Sequence, residues 1–290
     1  MDMRAIGMGL AFALMWSSAF TSARFIVADA SPLLALSLRY LISGLLGVII
    51  ARAMGQSWHL TPSQWRATIL FGICQNALYL GLFFVAMQTI EASLAAIIAS
   101  SMPLLVAIAS WIFLGEKLRP LAILGLVAGV IGVGLIMGAR IEEGVDLYGL
   151  LLCSIGVLAL TFATMSVRGA TSGGNFLMVV GLQMLVGCVA LAIAAMLFET
   201  PRLTPTWPLL IAFAYTTLLP GLVATLVWFQ LVNRIGATRA ATFHFLNPFF
   251  GVAIAALFLS ESIEVTDIIG VAIIAGGILA VQLSRQPDSD

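Results

Sequence analysis

The chain is a series of long apolar segments separated by short polar ones. Each apolar segment holds about 20 residues, the length that an α-helix needs to cross the hydrocarbon core of a bilayer. Hydrophobic residues run continuously through these segments rather than alternating with polar ones, which favours membrane-spanning helices over barrel strands. We predict ten spans, at residues 5–23, 32–53, 67–87, 92–113, 120–138, 147–167, 176–197, 207–231, 238–259 and 265–283.

The composition indicates a surface that faces lipid. Of the 290 residues, 61% are hydrophobic and 9% are charged, whereas an ordinary soluble domain carries about 25% charged residues. So few charged side chains cannot coat a soluble protein of this length. The three cysteines, Cys74, Cys153 and Cys188, all fall inside predicted spans, where they act as small packing residues. The predicted class is an all-α integral membrane protein.

Basic residues are distributed unevenly between the two sides of the predicted membrane. With the N-terminus in the cytoplasm, nine of the 13 basic residues fall on the inner side and three on the outer side. The positive-inside rule therefore predicts that both termini are cytoplasmic. Arg39 falls within the second span. Its side chain either extends to the lipid headgroups or faces a cavity, where it would attract a carboxylate.

The second half of the chain repeats the first at an offset of 145 residues. Residues 92–132 align with 237–277 without a gap and share ten identities in 41 positions. The matched residues with distinctive chemistry are Pro103, Glu116, Gly125 and Gly132, opposite Pro248, Glu261, Gly270 and Gly277. We predict two five-helix repeats, at residues 1–140 and 145–284, and a short cytoplasmic tail at 285–290.

Five spans in each repeat require the second repeat to enter the membrane inverted. One loop supports this independently, because Lys117 and Arg119 of the first repeat correspond to Ser262 and Glu264 of the second. A loop that moves from the inner to the outer side should lose positive charge. Inverted repeats are typical of secondary transporters, which hold the substrate near the midplane between the repeats and operate by alternating access.

The repeated segment resembles the EamA domain of the drug/metabolite transporter superfamily. The residues that carry this resemblance are Ala95-Ala96, Pro103, Leu114-Gly115-Glu116, Gly125 and Gly132, with their counterparts in the second half, and Trp16-Ser17 on the first span. The resemblance covers essentially the whole chain. It implies export of amino acids, other small metabolites or drugs across the bacterial inner (plasma) membrane.

The same superfamily also contains sugar-phosphate and nucleotide-sugar carriers, which are the alternative. Dianionic phosphates would require several buried lysines or arginines. Only Arg39 qualifies, so the amino-acid or metabolite exporter is favoured.

Polar and aromatic side chains inside the spans are the candidates for a substrate path, since polar groups in a bilayer need a cavity or a partner. The candidates are Trp16, Ser17, Asn76, Tyr79, Ser100, Ser101, Thr161, Trp228, His244 and Asn247. They fall on corresponding spans of the two halves. Each has a structural alternative, because hydroxyl groups also bond to their own helix and tryptophans also pack or anchor at the membrane interface.

Two further features concern helix geometry. Pro103 and Pro248 occupy equivalent mid-span positions, and each frees the carbonyl four residues earlier, which predicts a pair of hinges for alternating access. The alternative is a fixed bend that only shapes the cavity. Small-residue steps on the fifth span, Gly125–Gly129 and Gly134–Gly138, predict close packing or a dimer contact.

The sequence contains no constellation for catalysis. His59 and His244 lack metal-ligand spacing and no phosphate-binding loop motif occurs, so we expect no enzymatic activity, metal or cofactor.

No Asp or Glu lies near the middle of a span, which favours passive or weakly coupled transport. A channel is disfavoured because neither charged rings nor a carbonyl filter sequence is present. The expected partners are a small-molecule substrate and the lipid bilayer, without nucleic acid. A homodimer is compatible with the sequence, although a monomer suffices.

Overall fold

The computed structural model describes residues 3–166 and 174–284. These residues include ten helices that are long and apolar enough to cross a membrane. They are α1 (Met3–Asp29), α2 (Pro32–Ala53), α3 (Pro62–Ala86), α4 (Ala92–Leu114), α5 (Pro120–Glu142), α6 (Leu147–Ser166), α7 (Phe176–Phe198), α8 (Trp207–Ile235), α9 (Arg239–Leu259) and α10 (Val265–Ser284). Within these ranges the β-type pairing is one isolated bridge, between Ala30 and Leu203. The predicted all-α class with ten spans is confirmed. The predicted tail at 285–290 lies outside the described residues.

Polar capping extends α3 beyond the apolar segment from which it was predicted. Thr61 and Gln64 form a capping box, in which Thr61 Oγ1 accepts from the N–H of Gln64 (3.3 Å) and Gln64 Oε1 accepts from the N–H of Thr61 (2.9 Å). Pro62 suits the first helical position because its missing N–H would have no partner there. The helix therefore starts at Pro62 rather than at the predicted residue 67.

Local irregularities recur at corresponding helices of the two halves. A π-helical turn interrupts both α3 and α8, and the regular α-helix is interrupted in both α4 and α9. The segments are Gly72–Tyr79 in α3, Leu219–Val223 in α8, Ala92–Ser100 and Met102–Leu114 in α4, and Thr242–Leu246 (3₁₀) and Asn247–Leu259 in α9. Such turns widen or tighten a helix locally and often occur at functional sites.

The second segments of α4 and α9 also end alike. α4 is followed by Gly115 in the left-handed conformation (φ 65°), and α9 is followed by Ser260 in the same conformation (φ 56°). Glycine adopts this conformation without strain, whereas serine is disfavoured there. Ser260 is the one non-glycine residue with positive φ in the described ranges. The repeat thus preserves this chain reversal although it replaces the glycine.

The helices pack into two compact units, and each unit draws on both halves of the sequence. The first unit comprises Met1–Thr21, Thr89–Leu150 and Val223–Asp290, and the second comprises Ser22–Gln88 and Leu151–Leu222. The division falls within α1, α6 and α8. The two predicted sequence repeats and these two units therefore divide the chain differently.

Glycines bring α5 and α10 into close contact in the first unit. A Cβ atom on Gly125 would lie 2.6 Å from the carbonyl oxygen of Gly277, and one on Gly132 would lie 3.0 Å from that of Gly270. Early residues of α5 meet late residues of α10, so the helices are antiparallel. The predicted close packing at Gly125 is confirmed, whereas Gly134 has nothing within 4 Å of a Cβ atom.

A second antiparallel pair in the first unit joins α4 to α9. Both carboxylate oxygens of Glu261 accept hydrogen bonds at the start of α4, from the N–H of Ala92 (2.8 Å) and of Ser93 (3.0 Å). Deeper in the pair, a Cβ atom on Gly251 would overlap that of Ala96. A carboxylate at a helix N-terminus accepts hydrogen bonds from the free N–H groups and interacts favourably with the helix dipole. Glu261 therefore stabilises the contact between α4 and α9.

The second unit contains the corresponding pair of α2 and α7, capped at both ends. Glu199 accepts from the N–H of Leu33 (2.8 Å) and Leu34 (3.1 Å) at the start of α2. Gln56 accepts from the N–H of Met178 (2.9 Å) near the start of α7. In all three pairs a helix of the first half runs antiparallel to its counterpart in the second half, as an inverted repeat requires.

Candidate functional site

Three of the predicted residues, Trp16, Trp228 and His244, lie close together in the first unit with Phe12, and the ring of His244 is near each of the other three. We call these four rings the aromatic cluster. The ring centroids of Phe12 and Trp228 are 4.6 Å apart, and His244 lies 5.2 Å from Trp228, 5.5 Å from Phe12 and 6.1 Å from Trp16. Phe12 is buried, while the other three rings are partly exposed. These three rings therefore retain surface with which to contact a bound molecule.

Asn247 adds an amide group beside the imidazole of the aromatic cluster. Its Nδ2 atom lies 2.8 Å from Nδ1 of His244, and Oγ of Ser17 donates to its backbone carbonyl at 3.1 Å. Asn247 Oδ1 is buried and has no hydrogen-bond partner among the described residues. A buried acceptor without a partner costs about 1–3 kcal/mol. Oδ1 is therefore suited to accept a hydrogen bond from a ligand.

The irregular start of α9 brings His244 and Asn247 to one face. His244 lies on the 3₁₀ turn Thr242–Leu246, and Asn247 follows it by three residues. Side chains three residues apart eclipse in a 3₁₀ helix, which aligns the imidazole with the amide. Pro248 then occupies the second position of the following α-helical segment.

The contribution of α1 depends on regular helical spacing and one close approach. Phe12 and Trp16 are four residues apart, so they lie on the same face of the helix. Gly9, one turn earlier, allows α1 to approach α9, because a Cβ atom at this position would overlap the ring of Phe243. The predicted residues of the first unit thus converge through local geometry that the sequence partly encodes.

Two other predicted residues, Asn76 and Tyr79, lie in the second unit on the π-helical turn of α3. Asn76 Nδ2 donates to the carbonyl oxygen of Gln183 on α7 at 2.9 Å. The ring of Tyr79 packs edge-on against Phe83, with centroids 4.8 Å apart. Both predicted side chains are buried. In this conformation Asn76 joins two helices, and neither residue belongs to the aromatic cluster.

Three predicted hydroxyl groups bond to their own helices, as the structural alternative anticipated. Thr161 donates to the carbonyl of Val157 (2.8 Å), Ser100 to that of Ala96 (2.6 Å) and Ser101 to that of Ile98 (2.7 Å). Ser101 lies at the break in α4 and Ser100 immediately precedes it. Their bonds satisfy carbonyls near the break, and their place on a substrate path stays a prediction.

Pro103 and Pro248 are both buried at the second position of a helical segment. Pro103 follows the break at Ser101, and Pro248 follows the 3₁₀ turn of α9. Proline is well tolerated near a helix start, since the N–H that it lacks would have no partner there. The two prolines therefore coincide with breaks in α4 and α9, and their function as hinges stays a prediction.

The sequence analysis overlooked Phe12 and the partners of two charged residues. Phe12 lies in an apolar span like many others, and only its spacing of four from Trp16 could have indicated it. The sequence also gave no indication that Arg140 and Asp267 form a buried ion pair (2.8 Å). Within residues 3–166 and 174–284 no group of three His, Cys, Asp or Glu side chains could hold a metal ion.

Comparison with known families gives two matches along the chain. The profile of the EamA-like transporter family matches residues 3–138 and residues 147–283. A solved crystal structure of another protein has a TM-score of 0.71 with this chain at 21% identity, covering 98% of this chain and 99% of that one. At this identity the likeness concerns the fold.

Relatives from several bacteria align with most of the chain. The uncharacterized transporter YvbV of Bacillus subtilis is 26% identical over 269 residues, which is 92% of this chain and 88% of that protein. PecM of Dickeya dadantii is 24% identical over 265 residues, with 91% and 86% covered. PagO of Salmonella typhimurium is 23% identical over 266 residues, with 87% and 85% covered.

Proposed function

Because the chain belongs to the EamA-like transporter family, we propose that it moves amino acids or similar small metabolites by alternating access. The proposal includes amphipathic and aromatic compounds among the substrates and export as the direction. It also includes the bacterial inner membrane as the location, with both termini in the cytoplasm. Reporter fusions at each terminus test the orientation, and an outward terminus would contradict it.

The observation that carries the proposed substrate class is the aromatic cluster with the adjacent Asn247. Indole and phenyl faces attract flat apolar groups and cations. The unpartnered Asn247 Oδ1 accepts a hydrogen bond from an ammonium or amide group. A small molecule that combines an apolar or aromatic portion with a nitrogen donor would satisfy both. Amino acids and aromatic amines have this combination.

The distribution of carboxylates supports passive or weakly coupled transport. Every Asp and Glu in the described ranges lies within three residues of a helix end or between helices. Asp267, the third residue of α10, is bound to Arg140. Proton relays in transporters usually rest on carboxylates deeper in the membrane. His244 is the titratable residue of the aromatic cluster, and its Nδ1 atom is already bonded to Asn247.

Counterflow in proteoliposomes tests the proposal. The full chain is reconstituted with a high internal concentration of one unlabelled compound, and entry of its labelled form is followed. The panel contains amino acids, quaternary amines and sugar phosphates. We expect saturable counterflow of an amino acid or an aromatic amine. Counterflow of sugar phosphates alone would contradict the proposed substrate class and favour a sugar-phosphate carrier. Flux that does not saturate would indicate a channel.

Two tryptophan variants test whether the aromatic cluster contacts the transported compound. Trp228→Ala should raise KM for the transported compound about tenfold, since one aromatic or cation contact contributes on the order of 1 kcal/mol or more. Trp111→Ala is the control, because Trp111 also belongs to the first unit but is exposed, at 54%. Equal KM values for the two variants would show that the aromatic cluster does not lie on the substrate path.

A further inference from the structure

Arg39 on α2 is a buried cation in the second unit. The residue is only 6% exposed, and its guanidinium carbon lies 5.2 Å from the ring centroid of Tyr40. The Nε atom is buried and has no hydrogen-bond partner among the described residues. None of the ion pairs that Arg140 forms with Glu91, Glu143 and Asp267 involves Arg39. The charge is therefore buried without a counter-ion.

The second unit has no carboxylate to offer this cation. Its sequence contains only two acidic residues, Asp29 and Glu199. Both already accept hydrogen bonds at helix ends, Glu199 from the start of α2 and Asp29 from Thr206. Arginine remains protonated in proteins, so the charge cannot be removed by deprotonation. Charged residues within a membrane normally face a partner or a cavity.

Gly221 lies beside the guanidinium group of Arg39. The Nη2 atom would lie 3.6 Å from a Cβ atom on Gly221, and Oγ of Ser43 would lie 3.4 Å from the same atom. Gly221 belongs to the π-helical turn of α8, and Ser43 Oγ donates to the carbonyl of Thr217 (3.3 Å). The same Cβ atom would lie 3.2 Å from the carbonyl oxygen of Thr216, so a methyl group at this position would contact both the guanidinium and the backbone of α8.

We propose that Arg39 is the binding site for a carboxylate of the transported molecule. The Nε–H and one Nη2–H of an arginine point in the same direction and match the two oxygens of a carboxylate. The ligand would supply the missing negative charge and the missing acceptor for Nε. This inference rests on the proposed function, and it narrows the substrates to amino acids and other monocarboxylates.

A single guanidinium balances a single negative charge. A phosphate dianion at the same site would leave one charge uncompensated. In the described ranges the other arginines of the second unit lie within five residues of a helix end or between helices, and they are Arg24, Arg52, Arg66 and Arg202. The charge of the site therefore favours a monocarboxylate over a phosphate.

Matched ligand pairs test the assignment with the full chain in proteoliposomes. L-Phenylalanine is compared with L-phenylalaninamide, and L-leucine with L-leucinamide. The two compounds of each pair share the side chain and the amino group, and the amide replaces the charged carboxylate with a neutral carboxamide. In the unaltered protein the amino acid should inhibit counterflow at a concentration about tenfold to a hundredfold lower than its amide, the range of a charge-assisted hydrogen bond. Arg39→Gln should abolish this ratio, and Arg39→Lys should retain part of it.

Two further variants separate binding from structure. Gly221→Ala keeps the charge and adds a methyl group in contact with Nη2, so it should weaken binding of the amino acid more than that of the amide. Its unfolding temperature is measured in parallel, because the same methyl group would lie 3.2 Å from the carbonyl oxygen of Thr216. Arg66→Gln, an exposed arginine of the same unit, should leave the ratio unchanged. Arg39→Gln should not lower the thermal unfolding temperature, because it removes a buried charge that has no partner. A lowered temperature with an unchanged ratio would assign Arg39 a structural function and overturn the proposal.

The outcomes also distinguish this inference from the proposed function. Counterflow in which acid and amide are equivalent would overturn the assignment of Arg39 alone. Absence of counterflow for every amino acid and amine would overturn the proposed function and, with it, this assignment.

Discussion

Arg140 Nη2 lies 2.8 Å from Asp267 Oδ2, and this ion pair joins the end of α5 to the start of α10 in the first unit. Both side chains are nearly excluded from solvent, at 9% and 3% exposure. Arg140 Nη1 also approaches Glu91 (3.2 Å) and Glu143 (3.3 Å). Burial raises the pKa of Glu91, and the adjacent Arg140 opposes this effect. One arginine thus balances several carboxylates at this end of the unit.

Removal of one partner should therefore destabilise the fold. Arg140→Met leaves Asp267 buried and unpaired, and the expected loss is about 3–5 kcal/mol in the free energy of unfolding. Denaturant titration of the purified protein in detergent measures it. Lys117→Ala, at an exposed lysine of the same unit, should change stability little. The double variant Arg140→Met with Asp267→Leu should lose less than the sum of the single variants; a fully additive loss would show that the pair is not coupled.

Two glycines on α5 should respond oppositely to alanine. Gly125→Ala forces a methyl group against the carbonyl oxygen of Gly277, at 2.6 Å, and should cost about 1–3 kcal/mol through overpacking. Gly134→Ala meets nothing within 4 Å and should be neutral or stabilising by up to about 1 kcal/mol, because alanine favours helix. Thermal unfolding of the two variants gives the comparison. Similar melting temperatures would contradict the close α5–α10 contact.

The prolines at the breaks of α4 and α9 should be required for transport. Alanine at Pro103 or Pro248 restores an N–H and permits a continuous helix through the break, so transport should be lost while the protein still folds and inserts. Counterflow and the unfolding temperature are measured together. Pro120→Ala is the control, because Pro120 starts α5 without a preceding helical segment. Normal transport by both the Pro103 and Pro248 variants would exclude the hinge.

Transport should persist without a pH gradient. No carboxylate lies deep in a described helix, and His244 is bonded to Asn247 rather than to an acid. Counterflow of the preferred compound is therefore expected to be unchanged by an ionophore that collapses the proton gradient. His244→Gln should alter KM through the aromatic cluster and leave the insensitivity to the gradient intact. Strict dependence on an imposed gradient would refute passive transport.

Sequence reasoning was sufficient for the helices themselves. Length and continuous hydropathy are properties of a segment, so the ten spans follow from them without knowledge of any neighbour. The predicted repeat rests on matched residues at an offset of 145, which also pairs Gly115 with Ser260, and both of these residues adopt the left-handed conformation. The 3₁₀ spacing of His244 and Asn247 is likewise local. The structure places these residues near Trp16, and their place on a substrate path stays a prediction.

Tertiary structure decided which face of each helix is used and which helices are partners. A helix that is apolar all round carries little information about its rotation. The sequence could therefore not determine that Phe12 joins the aromatic cluster, that Asn76 bonds to α7, or that Arg39 is buried without a counter-ion. It also gave no indication that Arg140 would find Asp267 across 127 residues of chain. Such contacts depend on how helices pack, and packing is a property of pairs of surfaces rather than of any one segment.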